Sequence, residues 1–275
     1  MQHTKIGFIG GGNMAASLIG GLIADGTSPS QIRVADPDAK CTQALKQQFG
    51  IQIAADNSVL VENSDVVVLA VKPQILHKVC QQISGQVQSK HPLLISVAAG
   101  IRIGDIDRWL GDGNAIVRTM PNTPALVQCG ATALYGNNSV TDTQHEIAER
   151  IMRAVGLTQW LENEPMMDAV TALSGSGPAY FFLIIEALEQ AGCKLGLSEE
   201  SSRVLALQTA FGAAKMALES SESSEELRHR VTSPGGTTER AIGILEQGDL
   251  RGLFERALTG ARDRAQEMAE QLGGE

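Results

Sequence analysis

Short apolar runs alternate with amphipathic stretches in the first part of the chain. The rest holds long amphipathic stretches only. The runs KIGFIG (5–10), QIRVAD (31–36), IQIAA (51–55), DVVVLAV (65–71), PLLISVAA (92–99), NAIVRTM (114–120) and ATALYG (131–136) predict strands. Several are apolar on both faces, the pattern of strands buried inside a parallel sheet. Helical periodicity lies between them, as at 13–24, 38–48 and 75–83. Strand and helix in alternation predict a doubly wound α/β domain.

The pattern changes at LENEPMMDAV (161–170). Beyond Pro165 the periodicity is helical throughout, over 178–195, 198–219, 224–231, 234–247 and 250–272. Pro178 and Pro234 each stand where a first helical turn would begin, the position that tolerates proline. The chain is therefore divided into an α/β domain, 1–162, and an all-α domain, 163–275. The stretches AYFFLIIEALEQAG (179–192) and VLALQTAFGAAKMAL (204–218) are apolar on more than one face. Such helices are buried ones, and so small a domain needs a second copy of the chain to cover them. A homo-oligomer is expected.

Composition narrows the functional classes. The chain has 275 residues, 43% hydrophobic and 19% charged, which suits two globular domains. A net charge of −9, without a basic face, argues against nucleic-acid binding. The longest apolar run, AYFFLII (179–185), is too short to span a bilayer. The N-terminus enters a strand pattern at once, without a signal peptide. A cytoplasmic protein with no membrane partner is expected. The cysteines at 41, 80, 129 and 193 lack C-x-x-C spacing, so they are expected to be small buried side chains in a reducing compartment. His3, His77, His91, His145 and His229 are isolated, and no metal-ligand pattern appears. No metal is expected.

Two glycine-rich mouths remain. In KIGFIGGGNMAAS (5–17) an apolar run leads into Gly10, Gly12 and Ala15 at G-x-G-x-x-A spacing. The first glycine permits the tight turn and the second lets backbone approach a pyrophosphate. The small third residue lets helix and strand pack closely. Asp36 ends the second strand, where a carboxylate accepts hydrogen bonds from an adenosine ribose. That favours NADH slightly, while nearby Lys40 keeps NADPH open. Later strands end at LAVKPQ (69–74), SVAAG (96–100) and RTMPNTP (118–124), and ligands of such sheets sit at these ends. Without a nucleophile, metal or Ser-His-Asp set, hydride transfer is the chemistry that positioning alone can support.

The second mouth is VTSPGGTTER (231–240). Its glycines, hydroxyls and helix start suit either an ordinary cap or a carboxylate site. A phosphate loop would add a lysine, and none is present. A third turn, TALSGSGPAYFF (171–182), suits close helix packing or close approach of a nicotinamide.

Together, GFIGGGNMA, AVKPQ, RTMPNTP, TALSGSGPAYFF and VTSPGGTTERAI resemble the pyrroline-5-carboxylate reductase family, in family order and over essentially the whole chain. The resemblance implies a Rossmann-type N-terminal domain and an all-α C-terminal dimerisation domain, with dimers that can assemble into decamers. It implies reduction of 1-pyrroline-5-carboxylate to L-proline with NADPH or NADH. The cofactor set expected is Gly10, Gly11, Gly12, Asn13, Met14, Asp36, Asn57, Ala70, Val71, Lys72, Pro73, Ala98 and Asn122. Ser233 and the backbone at Gly236, Thr237 and Thr238 would hold the substrate carboxylate. The Thr238 hydroxyl would serve as the catalytic contact to the ring nitrogen. Asp36 departs from the residues common in NADPH-preferring members. A related imine or hydroxy-acid dehydrogenase, or a non-catalytic dinucleotide sensor, remains the alternative.

Overall fold

The computed structural model describes residues 4–274. His3 lies outside the described residues. In chain order the elements of the first part are β1 (Ile6–Ile9), α1 (Asn13–Ala24), β2 (Ile32–Ala35), α2 (Ala39–Phe49), β3 (Gln52–Ile53), α3 (Asn57–Glu62), β4 (Val66–Leu69), α4 (Pro73–Lys90), β5 (Leu93–Ser96), α5 (Ile103–Leu110), β6 (Ile116–Met120), β7 (Gly130–Gly136), α6 (Asp142–Arg153) and β8 (Gly156–Trp160). Helices follow: α7 (Met166–Val170), α8 (Gly177–Lys194), α9 (Glu199–Glu219), α10 (Ser224–Arg230), α11 (Thr237–Gln247) and α12 (Leu250–Gly273).

The strands form one sheet in the order β3-β2-β1-β4-β5-β6-β7-β8. Neighbours are parallel except β6 and β7. β1, β4 and β5 are buried at every position, which is why their sequences are continuously apolar. Leu18, Leu22, Leu45, Ile151 and Met152 from α1, α2 and α6 cover one face. Leu60, Leu76, Ile83, Ile106 and Leu110 from α3, α4 and α5 cover the other. The order reverses between β1 and β4, where Ile9 faces both Ala35 and Leu69. That reversal opens a crevice at the strand ends.

β8 escapes the apolar pattern. It is an edge strand, GLTQW, with Leu157 exposed and no position fully buried. Only pairing with β7 makes it a strand.

The division of the chain also differs from position 163. The structure divides between Ser176 and Gly177, and residues from Gly260 onward rejoin the sheet-bearing unit. A buried charge cluster explains the shift. Arg118 on β6 donates to Glu164 at 2.9 Å, and Asp168 of α7 lies 4.0 Å from the same guanidinium. Glu164 also accepts the Ile103 N–H at 2.7 Å. These bonds hold the first helical turns after the sheet to the sheet itself. At the C-terminus Arg108 donates to the Gly273 carbonyl at 2.7 Å.

The cysteines correct a second expectation. Cys80 is buried, Cys41 and Cys193 are half-buried, and Cys129 is exposed. Cys129 follows a turn whose Leu126, Val127 and Gln128 all face solvent.

The helical unit buries little of itself. α8 buries only Gly177, α9 only Ser202 and Ala206, and α10 and α11 nothing. Phe181, Phe182, Leu183 and Phe211 are each more than 60% exposed. The helical run Met166–Lys194 is, by length and composition, long and apolar enough to cross a membrane. Counting unbroken apolar residues missed this, because the helix continues through a π-helical turn at Thr171–Gly175.

Candidate functional site

The first mouth forms where β1 meets α1. Gly10 sits at φ +97°, and a Cβ there would lie 2.5 Å from the Ala70 carbonyl oxygen. Only glycine allows that approach of the two strand ends. The Gly10 N–H donates to the Ala35 carbonyl at 2.8 Å, and the Ala70 N–H to the Ile9 carbonyl at 2.8 Å. Gly12 is the N-cap of α1 and has no side-chain cap. A Cβ at Gly12 would meet nothing within 4 Å. The first-turn N–H groups of Asn13, Met14 and Ala15 have no intrahelical partners. Asn13 is exposed and Met14 half-buried against the core. A 12-residue helix with this uncapped start suits an anionic phosphate. The donor set fits a dinucleotide's pyrophosphate.

Beside it lies a cleft of about 430 Å³ that includes Gly10, Asp36, Asn57, Val71, Ile75 and Lys78. It carries Asp36 and Asp56 against a single cation, Lys78. Asp36 is already engaged: its carboxylate accepts the Gly11 N–H and the Asp38 N–H, each at 2.8 Å. Lys72 is the exposed N-cap of α4, with Pro73 at its first position. Neither Lys72 nor Lys40 lines the cleft. The cation that does is Lys78, one turn into α4, which sequence reading passed over. Ile75, Lys78 and Gln82 recur at helical spacing after the strand end, and that periodicity is the signal that could have found them.

Two other expected contacts are committed inside the protein. Ala98 is buried, and its N–H donates to Ser96 Oγ at 3.3 Å. The Asn122 side chain donates through Nδ2 to the Ser174 carbonyl at 3.0 Å and accepts the Ala131 N–H at 2.9 Å. Asn122 thus ties the end of β6 to the π-helical turn, which leaves one amide hydrogen for a ligand. A Cβ at Gly175, in that turn, would lie 2.4 Å from Met120 Cε. The SGSG segment therefore allows close packing where β6 ends.

The second mouth begins three residues later than expected. Gly236 donates its N–H to the Ser233 carbonyl at 3.0 Å. Gly235 has φ +72°. Proline second and a left-handed glycine third make a tight turn, so the helix cannot start at Pro234. It starts at Thr237, with Gly236 as an N-cap lacking a side-chain bond. The Gly236 N–H is thus closed to a ligand, while those of Thr237, Thr238 and Glu239 in the first turn stay open. Glu239 turns back to accept the Gly235 N–H at 2.8 Å. A hollow of about 370 Å³ lined by Gly235, Gly236, Glu239, Arg240 and Gly243 lies here. Thr238 is half-buried, while Ser233 and Thr237 are exposed. His229 pairs on the surface with Glu225 at 3.7 Å. No cluster of three or more metal-ligating side chains occurs among the described residues.

Residues 164–268 match the family model described as pyrroline-5-carboxylate reductase dimerisation. Residues 5–100 match one described as NADP oxidoreductase coenzyme F420-dependent. A pyrroline-5-carboxylate reductase of Pseudomonas aeruginosa is 50% identical over 99% of this chain and 100% of its own. The chain belongs to the pyrroline-5-carboxylate reductase family. A reductase structure from Coxiella burnetii is 48% identical, with TM-score 0.94 over 97% of this chain and 99% of its own. A Plasmodium falciparum pyrroline carboxylate reductase with NADP bound is 33% identical, with TM-score 0.86 over 98% of this chain and 99% of that one. Within the reductase family, the exposed apolar helices of 177–259 fall inside the dimerisation match. The protein is a homo-oligomer.

Proposed function

We infer that the protein reduces 1-pyrroline-5-carboxylate to L-proline with NADPH or NADH. The observation that carries this is the pair of uncapped glycine mouths, one on each half of a chain that belongs to this family over its full length. A dinucleotide held there would supply the hydride that the imine carbon takes up. The ring nitrogen takes a proton, and L-proline and the oxidised nicotinamide result. Gly12, Asn13 and Met14 present backbone donors to the pyrophosphate, and Gly10 lets the chain turn beneath it. Asn57, Val71 and Lys78 line the adenosine side, while Ala70, Lys72, Pro73 and Ala98 shape the neighbouring strand ends. The Thr237 and Thr238 N–H groups, with the Ser233 hydroxyl, hold the substrate carboxylate. The Thr238 hydroxyl orients the imine nitrogen. A protonated imine is already electrophilic, so positioning is the main contribution asked of the protein.

The apolar run at 166–194 belongs to the dimer, and the protein works in the cytoplasm. Dimers assembling into decamers complete the expected oligomer. The deciding assay follows loss of reduced-nicotinamide absorbance with 1-pyrroline-5-carboxylate, using NADPH and NADH in parallel. Turnover to L-proline is expected. No oxidation with either cofactor would overturn the assignment. Recovery without detergent is expected, and sedimentation distinguishes dimer from decamer.

A further inference from the structure

Both main-chain polar groups of Gly11 are held by side chains from outside the glycine turn. The Gly11 N–H donates to Asp36 Oδ2 at 2.8 Å, and the Cys41 thiol donates to the Gly11 carbonyl at 2.8 Å. Asp36 is itself aimed by the Asp38 N–H on its other oxygen, at 2.8 Å. A Cβ at Gly11 would lie 3.0 Å from Cys41 Sγ and 3.2 Å from Leu45 Cδ1. The turn is thus seated directly on α2. Burial, then the Asp36 and Asp38 carboxylates, push the Cys41 thiol's pKa up. It therefore keeps the proton that it donates.

We propose that Asp36 and Cys41 are positioning residues that clamp Gly11 from both sides and preset the phosphate turn before a dinucleotide arrives. The proposal rests on the nucleotide reading above. A preset turn loses less freedom on binding, which is a gain in affinity without a new ligand contact. Asp36 then has two tasks. Its carboxylate holds the turn, and only its remaining lone pairs face a ribose. Cys41 separates the tasks, because it holds the turn but does not line the adenosine cleft.

Calorimetric titration of the protein with NADH and NADPH, without substrate, tests the clamp. Cys41→Ala is expected to weaken both by the same factor, about 3- to 10-fold for one hydrogen bond. Cys41→Ser, which keeps a donor, restores most of the affinity. Asp36→Asn keeps one carbonyl acceptor for two N–H donors. It is expected to weaken NADH, and to keep weakening its 2′-deoxyribose analogue by about tenfold for the charge-assisted bond to Gly11. The Gly11 amide should also exchange faster with solvent in Asp36→Asn. Wild-type affinity in Cys41→Ala would overturn the clamp. So would an Asp36→Asn loss that disappears with the 2′-deoxy analogue. A wild-type protein that binds neither dinucleotide would instead defeat the nucleotide reading, a result distinct from both.

Discussion

The sheet-bearing unit completes its own core, and the helical unit does not. In the first, β1, β4 and β5 are sealed on both faces by helices of the same chain. In the second, α10 and α11 bury no residue, and α9 leaves Phe211, Met216 and Leu218 largely in solvent. Apolar surface on this scale marks an interaction face. The two glycine mouths differ in the same way. The first is braced by tertiary contacts from β2 and α2. The second is braced, among the described residues, by its own segment, through the Ser233 carbonyl and Glu239. One half is thus built to receive a ligand on a finished scaffold. The other leaves its helix faces open for association.

The most severe way to break that contrast is to make association impossible. Phe211→Glu puts a charge in place of a side chain that is 62% exposed in the single chain. Phe211 lies in the helical unit, so the sheet unit should keep its dinucleotide affinity. In a two-fold dimer the substitution occurs twice, and each unpaired charge loses its water. The dimer should weaken by about a thousandfold or more. Sedimentation velocity should then show monomers, with reductase activity lost. A fully assembled, active Phe211→Glu protein would remove α9 from the interface.

Next in size comes Thr238→Ala. The second mouth offers few groups, so removing its best-placed hydroxyl should lower kcat/KM by about tenfold to a thousandfold. Dinucleotide affinity, measured without substrate, should stay at the wild-type value. Unchanged kcat/KM would take Thr238 out of the reaction. Smaller again is Asp36→Ser on the sheet side. It removes one of the two carboxylates that line the cleft together with Lys78. The NADPH/NADH ratio of kcat/KM should rise about tenfold from the lost repulsion of a 2′-phosphate. Both absolute affinities should fall as the clamp loosens. A fixed ratio would mean that Asp36 reads no ribose.

The same contrast explains what could be read from the sequence. The inner strands were legible because burial on both faces writes itself as continuous apolar residues. β8 was not, because an edge strand with exposed Leu157 and Gln159 carries no such mark. The helix-initiating role expected of Pro234 failed on Gly235. A left-handed glycine after proline closes a turn, and nothing in periodicity distinguishes that turn from a first helical turn. Asn122 was correctly placed at a strand end. Its bonds to Ser174 and Ala131 depend on folding distant segments together, and no local pattern reports them. The charge cluster of Arg118, Glu164 and Asp168 was hidden for the same reason.

The finest probe of the finished core is the pH dependence of Cys80, which is fully buried among apolar neighbours of α4. Burial pushes its pKa from 9.0 to about 12. The unfolded chain ionises this thiol first, so the native state holds more protons across that interval. Stability from this group is therefore full below about pH 9 and falls as pH rises towards 12, by about 1.4 kcal/mol per pH unit at most. Cys80→Ala removes the titration and leaves a small cavity. At pH 7 the variant should be less stable than wild type, by about 1 kcal/mol. Denaturant melts should show that gap narrowing as pH rises above 9, because only the wild type pays the growing cost of keeping a buried thiol protonated. A gap that stays constant from pH 7 to 11 would mean that solvent reaches the α4 face of the sheet. The sheet unit would then be less complete than the helical unit's open faces make it look by contrast.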